Sequence, residues 1–302
     1  MLNWSTPSMR NKTPAPSWPL VRRLVCGGGL MLCAGWAVAQ GTATAPALEP
    51  WDKTKFDERS TTIDNPWIPM KPGTRYVYEG TTIEDGKRVP HRVEITFTDL
   101  TKVIDGVRTL ISYDLDFSGG RLAEAELAMF AQDKEGNVWR VGEYPEEYEN
   151  GKITKAPAWI QGYAGARAGI MMKAEPKLGT PSYAEGWGPA VGWTDRGQVH
   201  EMGKSTKVRA GTFKDLLVIK ETAASEAANA AQYKWYARGT GNVKVTWSGS
   251  DKSKETLELS RVEKLSPKAL AAVREKALKL EKSAYAQSKD VYALTPPAEP
   301  LK

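Results

Sequence analysis

Thr109, Ile111, Tyr113, Leu115 and Phe117 fall on one side of an alternating run, and Arg108, Ser112, Asp114 and Asp116 fall on the other. Successive side chains of an extended chain point to opposite faces, whereas a helix would spread this pattern around its circumference. The run is therefore a strand with one apolar face. The same period recurs on either side of short turns. Thr74 to Gly80 (TRYVYEG) alternates, Glu84-Asp85-Gly86-Lys87 turns, and Arg92 to Thr98 (RVEITFT) places Val93, Ile95 and Phe97 together before the turn at Ile104-Asp105-Gly106. Strands joined by such short connections pair antiparallel.

The meander continues past Ser118-Gly119-Gly120 into RLAEAELAMFAQ, which the flanking turns mark as a strand despite its helix-favouring Ala, Leu and Glu. After the turn Asp133 to Asn137 comes VWRVGEY, then an irregular stretch. Further strands follow in KVRAGTFKDLLVIKE, AQYKWYARG, NVKVTWSG and ETLELSRVEKL. Ser266 is placed to cap a helix with Pro267 at its first position, and Leu270, Val273, Ala277 and Leu280 form its apolar stripe. The expected organisation is a leader at 1–39, a flexible lead-in at 40–64, an antiparallel β domain at 65–265, an amphipathic helix at 266–286 and a flexible tail at 287–302.

The leader is read from Arg10, Lys12, Arg22 and Arg23, the apolar run Leu24 to Ala39, and Ala37-Val38-Ala39 before Gln40. Positive charge, an apolar run and a small-x-small site make a secretory signal peptide. Its 16 apolar-run residues fall short of the roughly 20 needed to span a bilayer. Cleavage near Ala39 implies a periplasmic or secreted protein that is not integral to the membrane. Cys26 and Cys33, the two cysteines of the chain, both leave with the leader, so disulfides, thiolate nucleophiles and cysteine-ligated metals are excluded together. The full chain has 42 Lys and Arg against 36 Asp and Glu; removing the leader's four cations leaves 38 against 36. No polybasic patch argues for nucleic acid as a partner.

Residues 162 to 172 (GYAGARAGIMM) hold three glycines and Arg167. A phosphate loop needs Lys-Ser/Thr after its last glycine, and Gly169 is followed by Ile170-Met171-Met172-Lys173. The glycines instead suit tight turns and close crossings of the backbone. Arg167 is a candidate for an anionic group on a ligand, or for loop carbonyls. The two histidines, His91 and His200, lack metal-ligand spacing, and no metal or other cofactor is expected. His200 with Asp195 and Glu201 is the alternative catalytic set, a base with its orienting acid. The acidic run Glu143 to Asn150 reads as a solvated hairpin tip. Tyr163, Tyr183, Trp187 and Trp193 crowd the irregular stretch 157–203, where they either line a ligand groove or plug the open end of a barrel.

Four phrases resemble a family of exported bacterial proteins of unknown activity: Pro66 to Gly80 (PWIPMKPGTRYVYEG), Ala131 to Glu143 (AQDKEGNVWRVGE), Gly162 to Gly179 (GYAGARAGIMMKAEPKLG) and Tyr236 to Val245 (YARGTGNVKV). The last is also similar to a hairpin in the open sheets of periplasmic lipid and lipoprotein carriers. The resemblance implies a strongly curved sheet with an apolar concave face. Ala168 and Lys173, where prolines are expected, and Thr240-Gly241-Asn242 depart from the pattern. The fold expected is mainly β, a curved antiparallel sheet or open half-barrel with one C-terminal amphipathic α-helix. The function expected is non-enzymatic binding of a lipid or other apolar small molecule, or of an envelope protein, with Tyr163, Arg167, Tyr183, Trp187 and Trp193 as ligand contacts. The alternatives are an envelope-directed hydrolase and a structural envelope protein without ligand.

Overall fold

The computed structural model describes residues 47–301. The leader and its cleavage site lie outside the described residues. The chain forms β1 (Thr74–Glu84), β2 (Lys87–Ile104), β3 (Val107–Ser118), β4 (Arg121–Gln132) and β5 (Val138–Glu149) as a meander of antiparallel neighbours. Short strands β6 (Lys152–Lys155), β7 (Trp159–Ile160), β8 (Arg167–Met172), β9 (Tyr183–Ala184) and β10 (Gly186–Trp187) occupy the irregular stretch. A second meander follows: β11 (Arg196–Val208), β12 (Gly211–Thr222), β13 (Ala231–Ala237), β14 (Gly241–Ser248) and β15 (Thr256–Lys264). β15 returns to pair with β1, so both meanders belong to one sheet. Helix α1 (Pro267–Gln287) and the short strand β16 (Glu299–Pro300) complete the chain. The protein is a mainly antiparallel β structure, not closed into a barrel, with one C-terminal helix.

Both faces of the first meander are covered, and this decides where its side chains go. Leu127, Met129, Val141 and Ile160 form part of an outer core under α1. Tyr76, Phe97, Phe130, Leu217 and Val245 belong to an inner core on the opposite face. The period of two in β3 is as the sequence indicates, but its apolar set is turned outward. Tyr113 and Leu115 pack half-buried against the outer core, while Ser112, Asp114 and Asp116 are buried inside. Alternation fixes which residues share a face; only the surrounding elements fix which face is the concave one. The inner surface that the resemblance implies to be apolar thus carries an apolar core and these buried polar groups as well.

α1 starts as expected, with the Ser266 hydroxyl accepting from the Ala269 amide and Pro267 in the first turn. Val273, Ala277, Leu280 and Ala284 are its buried stripe. The two segments expected to be flexible are packed where they are described. Trp51 lies edge-on to Trp139 at 5.5 Å, and Ile63 is buried beside its bridge partner Met70. At the other end Tyr292 is fully buried and β16 pairs with Thr101 and Leu100 of β2. Isolated anchors such as Trp51 and Tyr292 carry no periodicity, which is why neither segment registers as ordered in the sequence. The acidic run Glu143 to Asn150 is likewise different from expectation. It lies in β5 with Glu143 and Glu146 buried, and only its end reaches the hairpin tip.

Candidate functional site

The two ends of the sheet meet on five consecutive residues. Tyr183 and Ala184 pair with Gly197 and Arg196 of β11, and Gly186 and Trp187 pair with Ala168 and Arg167 of β8. Glu185 lies between them, its amide donating to the Asp195 carbonyl at 2.9 Å. This strap spans the gap between β8 and β11. It passes so close over β8 that a Cβ on Gly169 would sit 2.2 Å from the Gly186 nitrogen and 2.4 Å from the Ala184 oxygen. Gly165, at φ +76°, supplies the left-handed turn that brings the chain into β8. The glycines of GYAGARAGIMM thus serve a backbone crossing.

Ionisable groups line the interior. The Lys234 ammonium pairs with Glu221 at 2.5 Å, and the Arg140 guanidinium pairs with Glu143 at 3.2 Å while lying over the rings of Phe130 and Trp193. His91 stands between Asp116 and Glu255, 2.7 and 3.0 Å from their nearest oxygens. Glu185 is buried among Glu221, Lys234, Asp195 and Arg140; burial first, then Glu221, pushes its carboxyl well above the ordinary range. Such groups remain inside a core only when paired or neutralised.

A pocket opens into this interior between β1, β2, β3 and the turn before β14. Its wall is apolar, with Ile68, Met70, Ile95 and Met171. Five rings stand around it: Tyr76, Tyr78, Phe97, Phe130 and Tyr236. Ser112, Asp114, Thr240 and Asn242 add polar side chains to the five rings. The cavity is about 50 Å³. That is small beside the ~300–1,000 Å³ typical for a drug-sized ligand, and enough for a few water-sized groups. The Ser112 hydroxyl donates to Asp114 Oδ2 at 3.2 Å, and the Tyr78 hydroxyl donates to the Asn242 carbonyl at 3.0 Å. Asp114 Oδ1 is buried without a hydrogen-bond partner among the described residues. Burial and then Glu126 raise the Asp114 carboxyl well above its usual range, against the pull of Arg140, the Ser112 hydroxyl and the Thr96 amide. The Tyr78 phenol is likewise pushed up by burial.

None of the five ligand contacts expected from the sequence lines this pocket. Tyr163 donates its hydroxyl to the Leu294 carbonyl at 3.1 Å, and Arg167 is exposed on β8. Tyr183 is buried on the strap, and Trp193 is buried against Trp159 with ring centroids 4.8 Å apart. Trp187 borders a separate, alanine-rich groove with Leu48 and Arg196. The alternative catalytic trio is not assembled: His200 is exposed and packs on the ring of Tyr233, Glu201 pairs with Lys204, and Asp195 is buried. Among the described residues no group of three or more His, Asp or Glu is placed to hold a metal, and no helix is long and apolar enough to cross a membrane. The five ring residues fall in strands read from the sequence, whereas Ile68, Met70 and Met171 do not; the signal missed is Asp114, an acid that interrupts the face opposite an apolar stripe.

No family profile matches the chain, and no curated protein matches it. Among solved structures it is similar to a Bacteroides fragilis protein described as exported with a YmcC-like fold, at a TM-score of 0.39 and 13% identity over 66% of this chain and 99% of the other. It is also similar to a Parabacteroides distasonis protein described as a lipoprotein, at 0.35 and 11% over 65% and 97%. Likeness at this level lends no weight to a function or a location.

Proposed function

We propose that the protein is exported and binds one end of a slender amphipathic small molecule in the pocket between Tyr76, Tyr78 and Tyr236. The observation that supports this is a ring-lined cavity opening onto the inner face of the sheet, with an unpartnered buried oxygen inside it. Binding pockets combine an apolar wall with a few placed polar groups, which is the composition found here. At about 50 Å³ the cavity takes a terminal group and not a whole lipid, so the remainder of the ligand lies outside the mouth. The reading moves the expected ligand site from the glycine-rich stretch to the first meander.

The test is uptake of the fluorescent probe N-phenyl-1-naphthylamine by the mature protein and by Ile95→Trp. Ile95 is a half-buried wall residue, so a larger ring there fills the space while the strand remains. Saturable uptake that falls at least tenfold in the variant, with unchanged circular dichroism, is the expected result. Equal uptake by both proteins would overturn the assignment of the pocket.

A further inference from the structure

We infer that the group this pocket receives is a primary alkylammonium, its nitrogen donating to Asp114 and its first methylenes lying against the surrounding rings. This rests on the pocket being the ligand site, and it adds the charge and chemistry of what enters.

Three observations converge on a cation. Asp114 is 5% exposed and lines the cavity, and its Oδ1 accepts from nothing among the described residues while Oδ2 takes the Ser112 hydroxyl. A buried oxygen in that state lacks a donor. The rings of Tyr76, Tyr78, Phe97, Phe130 and Tyr236 surround the same space. Aromatic faces attract a desolvated cation, a lysine-type ammonium included. The third observation is charge. The groups facing Asp114 are Tyr78 on β1, Glu126 on β4 and Arg140 on β5, and Arg140 is drawn toward Glu143 and Glu185 as well. Carboxyls outnumber cations around this site, so a further positive charge is favoured and a further carboxylate is not.

Size points to the primary ammonium. An –NH₃⁺ group is compact and carries three donors on one atom, which suits a small cavity where Asp114 Oδ1 and Asn242 Oδ1 are both buried without a donor among the described residues. In the empty pocket burial and Glu126 favour the protonated form of Asp114. When the ammonium enters, the Asp114 proton leaves to solvent and the ammonium and carboxylate form an ion pair. No other bond changes. Binding therefore releases a proton, which entry of a neutral ligand does not.

The experiment is isothermal titration of the mature protein with octylammonium chloride, 1-octanol and sodium octanoate at pH 6.5, each in two buffers of different ionisation enthalpy. Octylammonium is expected to bind at least tenfold tighter than 1-octanol and to release about one proton. Octanoate should bind weakest. Asp114→Asn is isosteric; it should abolish the proton release and reduce octylammonium affinity at least tenfold. If 1-octanol binds as tightly as octylammonium and no proton is released, the cation assignment fails while the pocket stands. If Asp114→Asn leaves octylammonium binding and its proton release intact, the assignment fails as well. If none of the three binds, both the assignment and the pocket's role are overturned.

Discussion

His91 Nε2 lies 2.7 Å from Asp116 Oδ1, with Glu255 3.0 Å from the other ring nitrogen and the imidazole side chain wholly buried. The three residues join β2, β3 and the segment entering β15. Burial pushes the imidazole toward neutrality, but the two carboxylates outweigh it and raise the group from 6.5 to about 10. A folded value above the unfolded one means that the native state holds the proton more tightly. The associated stability is complete below pH 6.5 and is lost as pH rises to about 10. Urea unfolding across this range should show a loss of up to about 5 kcal/mol, the ceiling set by that shift. His91→Gln should flatten this dependence and cost about 3–5 kcal/mol at pH 6.5, since two buried acids lose their cation. A flat profile in the parent protein would exclude the charged imidazole.

The strap makes a second prediction, on Gly169. Adding a Cβ there sets it against the backbone of Ala184 to Gly186, which cannot rotate away as a side chain could. Gly169→Ala should destabilise the fold by about 1–3 kcal/mol and speed amide exchange in residues 183–187. Gly162→Ala is the control, because its Cβ would meet open space and only the positive φ opposes it. Equal exchange in both variants would show that the strap is not seated as described.

How much of this was legible in the sequence depends on the range of the interaction that fixes each part. β1, β2 and β3 follow from side-chain alternation and turn residues, and α1 follows from Ser266, Pro267 and its stripe; all are local signals. The strap is not local. Tyr183 to Trp187 has no period, and its role exists only because β8 and β11, far apart in sequence, flank the same gap. The glycines gave a partial clue, since Gly169 needs a close crossing whatever crosses it. The pocket proposed as the ligand site is unmarked in the sequence for a similar reason. Trp187 and Trp193 were conspicuous by type, but Trp193 is spent on packing against Trp159. Tyr76, Tyr78 and Tyr236 look like ordinary strand residues until the curved sheet brings β1 and β13 to one pocket. Asp114 carries no mark of enclosure in the sequence, because the pattern in β3 does not say which face is enclosed.

His200 supplies a third prediction. It is exposed and touches Tyr233, while Asp195 is buried. His200→Ala should change stability by less than about 0.5 kcal/mol, as other surface substitutions do. It should also leave uptake of N-phenyl-1-naphthylamine unchanged. A variant that loses probe uptake would place the binding face on β11 instead of the first meander.

The last prediction concerns how α1 is held. The Lys102 ammonium, buried on the outer face of β2, donates to Glu281 at 2.8 Å, to the Tyr285 hydroxyl at 3.0 Å and to the Pro296 carbonyl at 2.5 Å, and lies 4.3 Å from the centre of the Tyr292 ring. One cation thus fastens both the helix and the tail to the sheet. Lys102→Met keeps the stem's apolar contacts but leaves Glu281 buried without its cation, and should cost about 3–5 kcal/mol. Limited proteolysis should then cut first after 287. Pairing it with Glu281→Leu removes the orphaned charge, and buried ion pairs replaced whole by apolar side chains of similar size are often neutral or better. The double variant should therefore recover most of the loss in urea unfolding, although the amide of Ala298, which donates to Glu281 at 2.9 Å, then loses its acceptor. Recovery would identify the single variant's defect as an uncompensated charge. A double variant no more stable than the single one would mean that hydrogen bonds from Lys102 and to Glu281 hold the tail independently of their charges.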